Sequence, residues 1–99
     1  MDFGEALKAL KEGKKVARAG WNGKDMWVAL TPGSLIPTSM VKLHHAAGHR
    51  ADELIGKFDH PGEIKLLPHI DMRVADGSMV IGWLASQTDL LAEDWEVLD

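Results

Sequence analysis

The chain has 99 residues, with 15 acidic against 11 basic side chains and a net charge of −4, four tryptophans and no cysteine. The absence of cysteine excludes a disulfide scaffold, a thiol nucleophile and a cysteine zinc site, and the acidic balance argues against a duplex nucleic-acid binder. A composition of 45% hydrophobic and 26% charged residues is that of one soluble globular domain. No apolar run approaches the ~20 residues of a membrane helix. The first residues, Met1-Asp2-Phe3-Gly4-Glu5, lack the basic-then-apolar pattern of a signal peptide. The expectation is a cytoplasmic protein.

Residues 2–13 read as an amphipathic helix. Phe3, Leu7 and Leu10 repeat at spacings of four and three beside Ala6. Asp2 is the expected N-cap and Gly13 the expected stop.

Residues 14–20 and 25–31 flank Asn22-Gly23, which suits a type I′ turn. A two-residue loop pairs Trp21 with Lys24, Ala19 with Met26 and Ala17 with Val28. These six residues and Leu30 then form one apolar face, and Arg18 directly opposes Trp27 on the other.

The middle, residues 32–63, is irregular. Pro32-Gly33, Pro37 and Pro61 break structure, and a helix over 40–57 is interrupted by Gly48.

A second hairpin turns at Asp76-Gly77, between residues 68–75 and 78–85. Its pairs are Val74–Met79, Met72–Ile81 and Ile70–Trp83, all on one apolar face. His69, Asp71 and Arg73 lie on the other. Ser86 and Asp89 resemble a capping box for a helical turn over 87–92, and Trp95–Leu98 alternates as a fifth strand. The fold class is therefore α+β: an N-terminal helix packed on a mainly antiparallel five-stranded sheet, with an irregular insertion.

Charge is uneven along this plan. Residues 1–24 carry Lys8, Lys11, Lys14, Lys15, Arg18 and Lys24 against three acids, and residues 85–99 carry five acids and no base. This allows a local basic site for a small anionic ligand. Four tryptophans exceed what so small a core needs, which points some of them to a subunit interface or ligand pocket.

Catalytic patterns are poorly supported. Ser34, Ser39, Ser78 and Ser86 lack a Gly-x-Ser-x-Gly setting, and no phosphate-cradling or dinucleotide-binding glycine loop occurs. Asp52-Glu53 and Glu93-Asp94 are sequence neighbours of the kind that usually face water. His45 and His49 have zinc-ligand spacing beside His44, but Ala46 stands where a zincin has glutamate, and a structural or incidental cluster is the stronger reading. Arg18 opposite Trp27 is more informative. A guanidinium can meet a phosphate and an indole can stack on a purine, although spacing alone favours an ordinary cation–π pair.

Two blocks carry a resemblance. The first runs from Met1 to Leu10 and on through Val16-Ala17-Arg18 to Gly20-Trp21-Asn22-Gly23-Lys24. The second runs from Leu67-Pro68-His69-Ile70-Asp71-Met72 through Asp76-Gly77 to Trp83-Leu84-Ala85-Ser86-Gln87-Thr88-Asp89 and Trp95. Together, over about two thirds of the chain, they are similar to a family of small phage and prophage proteins long catalogued as a domain of unknown function. The family includes the second type of Thoeris anti-defence protein, a phage-encoded sponge.

The resemblance implies a non-enzymatic protein without cofactor. Such a protein binds a cyclic ADP-ribose isomer, glycocyclic ADP-ribose, and keeps it from its effector. Some members also bind cyclic oligonucleotides at separate pockets, and members assemble as homotetramers. The ligand-binding expectation falls on Arg18, Trp21, Asn22, Gly23, Trp27, Pro68, Trp83, Ala85, Ser86, Gln87 and Thr88. The alternative is a protein-interaction module of phage or prophage origin.

Overall fold

The computed structural model describes residues 1–37 and 63–98. The possible helix over 40–57 and the His44, His45, His49 group lie outside the described residues. The chain divides into two compact units, Met1–Thr31 with His69–Asp99, and Pro32–Pro68.

The first unit opens with α1, Phe3–Lys11, whose Asp2 cap accepts the Glu5 N–H. This satisfies one of the amide donors that a helix start leaves unpaired. Lys14 N–H closes back on the Ala9 carbonyl at 3.0 Å, ending the helix around Gly13 as expected. Five strands follow in a fully antiparallel sheet. They are β1 (Lys15–Arg18), β2 (Trp27–Thr31), β5 (His69–Arg73), β6 (Met79–Val80) and β7 (Trp95–Leu98), in the spatial order β6-β5-β2-β1-β7. The expected α+β architecture is thus present. The helical turn is also there as α2, Gln87–Leu91, with both bonds of the Ser86–Asp89 capping box formed.

The second unit holds a separate antiparallel pair, β3 (Ser34–Pro37) with β4 (Glu63–Leu66). Part of the segment expected to be irregular is therefore a ribbon.

Helix α1 covers one sheet face, here the inner face. Ala6, Ala9 and Leu10 pack with Val16, Val28 and Trp95, all buried. Complete burial of one Leu such as Leu10 contributes about 1.5–3 kcal/mol. Trp95 and Met1 are stitched together: the Trp95 N–H donates to the Met1 carbonyl at 3.1 Å and the Met1 amine to the Trp95 carbonyl at 2.9 Å.

The first hairpin, and the part of the second next to its turn, differ from expectation by one residue, while the expected Ile70–Trp83 pair is met by a Trp83 N–H to Ile70 carbonyl bond. In the first, Val16 opposes Val28, so Val16 takes the core position assigned to Ala17. A type I′ turn needs positive φ at both central residues. Among the described non-glycine residues only Asp25 has positive φ, and Gly23 has none. Residues 19–26 instead make a wide connection. Gly23 is needed there for closeness: an added Cβ would lie 2.8 Å from the Ala75 Cβ.

In the second hairpin, Met72 opposes Val80 and Arg73 opposes Met79. Val74 N–H bonds the Ser78 carbonyl, Gly77 N–H bonds the Val74 carbonyl, and Gly77 has φ +94°. That is a three-residue loop with a glycine bulge rather than a two-residue turn. Met79, Val80 and Ile81 are consequently exposed rather than core.

The slip also separates Arg18 from Trp27. Trp27 shares the outer sheet face with its partner Arg73. Lys15 Nζ, not Arg18, stands over its ring, 5.3 Å from the centroid.

Candidate functional site

Arg18 ends β1 on the inner face and meets two carboxylates from the C-terminal part of the chain. Its Nε donates to Asp94 Oδ1 and its Nη1 to Asp89 Oδ1, each at 2.9 Å. Asp94 Oδ2 also accepts the Gly20 N–H at 2.8 Å. Asp89 Oδ1 also accepts the Trp21 indole N–H at 3.2 Å, and its Oδ2 the Ser86 N–H at 3.2 Å. The Trp95 indole donates to the Asp89 carbonyl at 2.9 Å. The backbone after β1 is thus pulled onto the segment around α2 by charge-assisted hydrogen bonds, the stronger kind.

Electrostatics follow this geometry. Asp94, then Asp89, raise the Arg18 pKa. Burial pushes the Asp89 carboxyl up, but hydrogen bonds from Arg18, Ser86 and Trp21 bring it below the ordinary range. Arg18 is the largest cause of the lowered pKa of Asp94, helped by the Gly20 N–H.

Aromatic rings complete the assembly. Trp21 stands edge-on to Trp95 at 5.3 Å and to Trp83 at 6.4 Å between centroids, while Phe3 contacts Trp95 at 5.3 Å. Each edge or tilted pair contributes about 0.5–1.5 kcal/mol beyond area burial. Three tryptophans therefore hold one another and leave the fourth, Trp27, on the outer face.

Beside this assembly lies an open depression of about 390 Å³, lined by Arg18, Trp21, Asn22, Gly23, Lys24 and Met26 among others. Four of the expected ligand residues, Arg18, Trp21, Asn22 and Gly23, come together here. Asn22 and Lys24 are exposed. Trp83 joins through its contact with Trp21, and Ser86 through Asp89. Ala85 is half-buried, and Ser86, Gln87 and Thr88 are exposed at the start of α2. Trp27 does not line the depression. Pro68 belongs to the Pro32–Pro68 unit, next to Gly33.

Asp89 and Asp94 were missed by sequence reasoning as site residues. The capping box gave Asp89 a local role, and Glu93-Asp94 read as a solvated pair. The one available signal was complementary charge, a basic N-terminal quarter against an acidic C-terminal tail. Among the described residues, the Ser78 hydroxyl donates to Asp76 and that of Ser86 caps α2. No described group of three His, Asp or Glu is arranged to hold a metal ion. No helix among the described residues is long and apolar enough to cross a membrane.

The match to known proteins spans nearly the whole chain. A family model described as the Thoeris anti-defense 2-like domain matches residues 1–98. The chain belongs to that family. The Thoeris anti-defense 2 protein of Bacillus phage SP01 is 35% identical over 98 residues, which is 99% of this chain and 94% of that relative. The family match therefore runs through residues 32–63, where sequence reading placed no family pattern. It includes both blocks that the structure joins through Arg18, Trp21, Asp89 and Asp94.

Proposed function

We propose that the protein counters Thoeris defence by binding a cyclic ADP-ribose isomer, glycocyclic ADP-ribose, and holding it intact without catalysis. Family membership over residues 1–98 carries this reading. The depression supports it physically. Its volume of about 390 Å³ lies in the range of small-molecule sites. The exposed Lys24 ammonium and backbone N–H groups at Asn22-Gly23 are the groups offered to a pyrophosphate, in a depression that Asp25 and Glu96 also line. Trp21 offers a surface for adenine, and the family resemblance, rather than the lining of the depression, assigns Ser86, Gln87 and Thr88 to ribose. Arg18 acts here through its carboxylate partners, fixing the loop that the ligand meets.

A sponge works by mass action, so abundance and slow release replace turnover. Self-association is part of the proposal, with a homotetramer as the assembly. Leu84 at 93% and Leu91 at 80% exposure are apolar surface of the kind that marks interaction sites. The same two residues are what favours the alternative, a protein-interaction module.

Titration calorimetry with glycocyclic ADP-ribose tests the reading. The expected result is saturable binding at a fixed ratio to protomer, weakened in Lys24→Ala. Folded protein that produces no binding heat, yet retains a protein partner, moves the assignment to the interaction module.

A further inference from the structure

Asp71 is a buried charged side chain, 6% exposed, for which nucleotide binding supplies no task. It sits on the outer face of β5, opposite Ala29. A carboxylate buried on a sheet is costly unless donors meet its oxygens. The Thr31 hydroxyl donates to Oδ2, the Gly82 N–H donates to Oδ1 at 2.8 Å, and His69 Nε2 lies 3.3 Å from Oδ2.

The Gly82 bond is the informative one. The β5–β6 ladder runs Arg73 to Met79 and Met72 to Val80. Continued unchanged, that register sets Gly82 opposite Ile70 and Trp83 opposite His69. Trp83 would then point to the outer face, because a one-residue step reverses every side chain. Instead, the Trp83 N–H bonds the Ile70 carbonyl at 2.6 Å. Its ring stands 6.3 Å from Phe3, 6.4 Å from Trp21 and 6.1 Å from Trp95. One residue has been absorbed, and Gly82, at φ +87°, is where it happens. Such a bulge takes an amide out of the ladder, and Asp71 accepts it.

We propose that Asp71 is a positioning residue for the ligand site: by holding the Gly82 amide it fixes the bulge that turns Trp83 inward against Trp21. This rests on the nucleotide-binding reading above. Asp71 itself touches no ligand. It acts through Trp83, which buttresses the Trp21 wall of the depression.

The four tryptophans give four indole N–H signals in a ¹⁵N-labelled protein, assignable by single Trp→Phe substitutions. In Asp71→Ala the Trp83 and Trp21 signals are expected to move. That of Trp27, which shares the face of Asp71, stays near its original position. Capture of glycocyclic ADP-ribose weakens about tenfold. Asp71→Asn keeps an oxygen for the Gly82 N–H and restores both the signals and capture. Merely local damage around Asp71 would move Trp27 instead.

A folded Asp71→Ala protein with Trp83 unmoved overturns the proposal. So does an Asn variant that displaces Trp83 as far as the Ala variant. Should Asp71→Ala fail to fold, Asp71→Asn decides: Trp83 and capture retained support the proposal, and a displaced Trp83 overturns it. If the unaltered protein captures no nucleotide, the binding reading fails, while the indole signals still decide whether Asp71 sets Trp83.

Discussion

The Asp89 carboxylate receives the Trp21 indole N–H at 3.2 Å although 68 residues separate them in the chain. The same oxygen takes Arg18, and the other oxygen closes the capping box with Ser86. One side chain thus ties together the end of β1, the loop beside the depression and the start of α2. Ser86→Ala removes the cap alone. It is expected to cost about 1 kcal/mol and lower Tm by about 4–8 °C. Asp89→Ala removes all three ties and lowers Tm further, with a change in tryptophan emission. Equal losses in the two variants, measured by thermal unfolding, would show that Asp89 is only a cap.

Stability should fall in acid. Asp89 and Asp94 have pKa values below the ordinary range for the reasons above, and Ser78 holds Asp76 low in the same way. A carboxyl with a depressed folded pKa binds its proton more readily when unfolded. Its stabilising effect is complete above the unfolded value and is lost as pH falls through the folded one. Arg18 stays charged throughout. The expected Tm is level from about pH 7 to about pH 5 and drops towards about pH 3, less steeply in Asp89→Asn. A Tm that ignores this acid range would contradict the pairing of Asp89 and Asp94 with Arg18.

Much of this was legible in the sequence because the signals are local. Asp2 with the Phe3–Leu7–Leu10 spacing gave α1, Ser86 with Asp89 gave α2, and alternation gave all five sheet strands. Both hairpins were found; the first register and the turn-proximal pairs of the second were missed by one residue, while Ile70 and Trp83 meet as expected beyond the Gly82 bulge. A dipeptide such as Asn22-Gly23 or Asp76-Gly77 marks a turn but not its loop length. That length depends on which residue takes positive φ: Asp25 in one case and Gly77 in the other. The site was half legible. Trp21, Asn22 and Gly23 were placed together, but the Arg18–Asp89 and Arg18–Asp94 pairs span more than 70 residues, where no periodicity reaches. Trp27 was given to Arg18 only because of the assumed register.

Gly82→Ala should destabilise the fold through its backbone alone. Among the described residues an added Cβ meets nothing within 4 Å, while φ is +87°. The cost is the left-handed penalty of an L-residue, about 1–2 kcal/mol, readable as a lower denaturant midpoint at unchanged slope. An unaltered midpoint would mean that the bulge carries no strain for alanine.

Trp27 and Lys24 separate the depression from the surface beside it. Trp27 lies under Lys15, and although the depression reaches the same face at Ala17, Glu96 and Leu98, Trp27 does not line it. Trp27→Ala is therefore expected to leave nucleotide affinity within about twofold, and Lys24→Ala to lower it about tenfold, most clearly at low salt because the contact is exposed. Calorimetry of both variants checks this, and the reverse order of effects would place the ligand at Trp27 rather than in the depression.

The most direct measurement is recovery of the ligand itself. The purified protein is incubated with glycocyclic ADP-ribose, freed of unbound nucleotide by filtration and denatured by heat. The released material is then identified by mass spectrometry. Sequestration requires intact glycocyclic ADP-ribose at a fixed ratio to protomer. Cleaved products, or no captured nucleotide from protein shown to be folded, would contradict it.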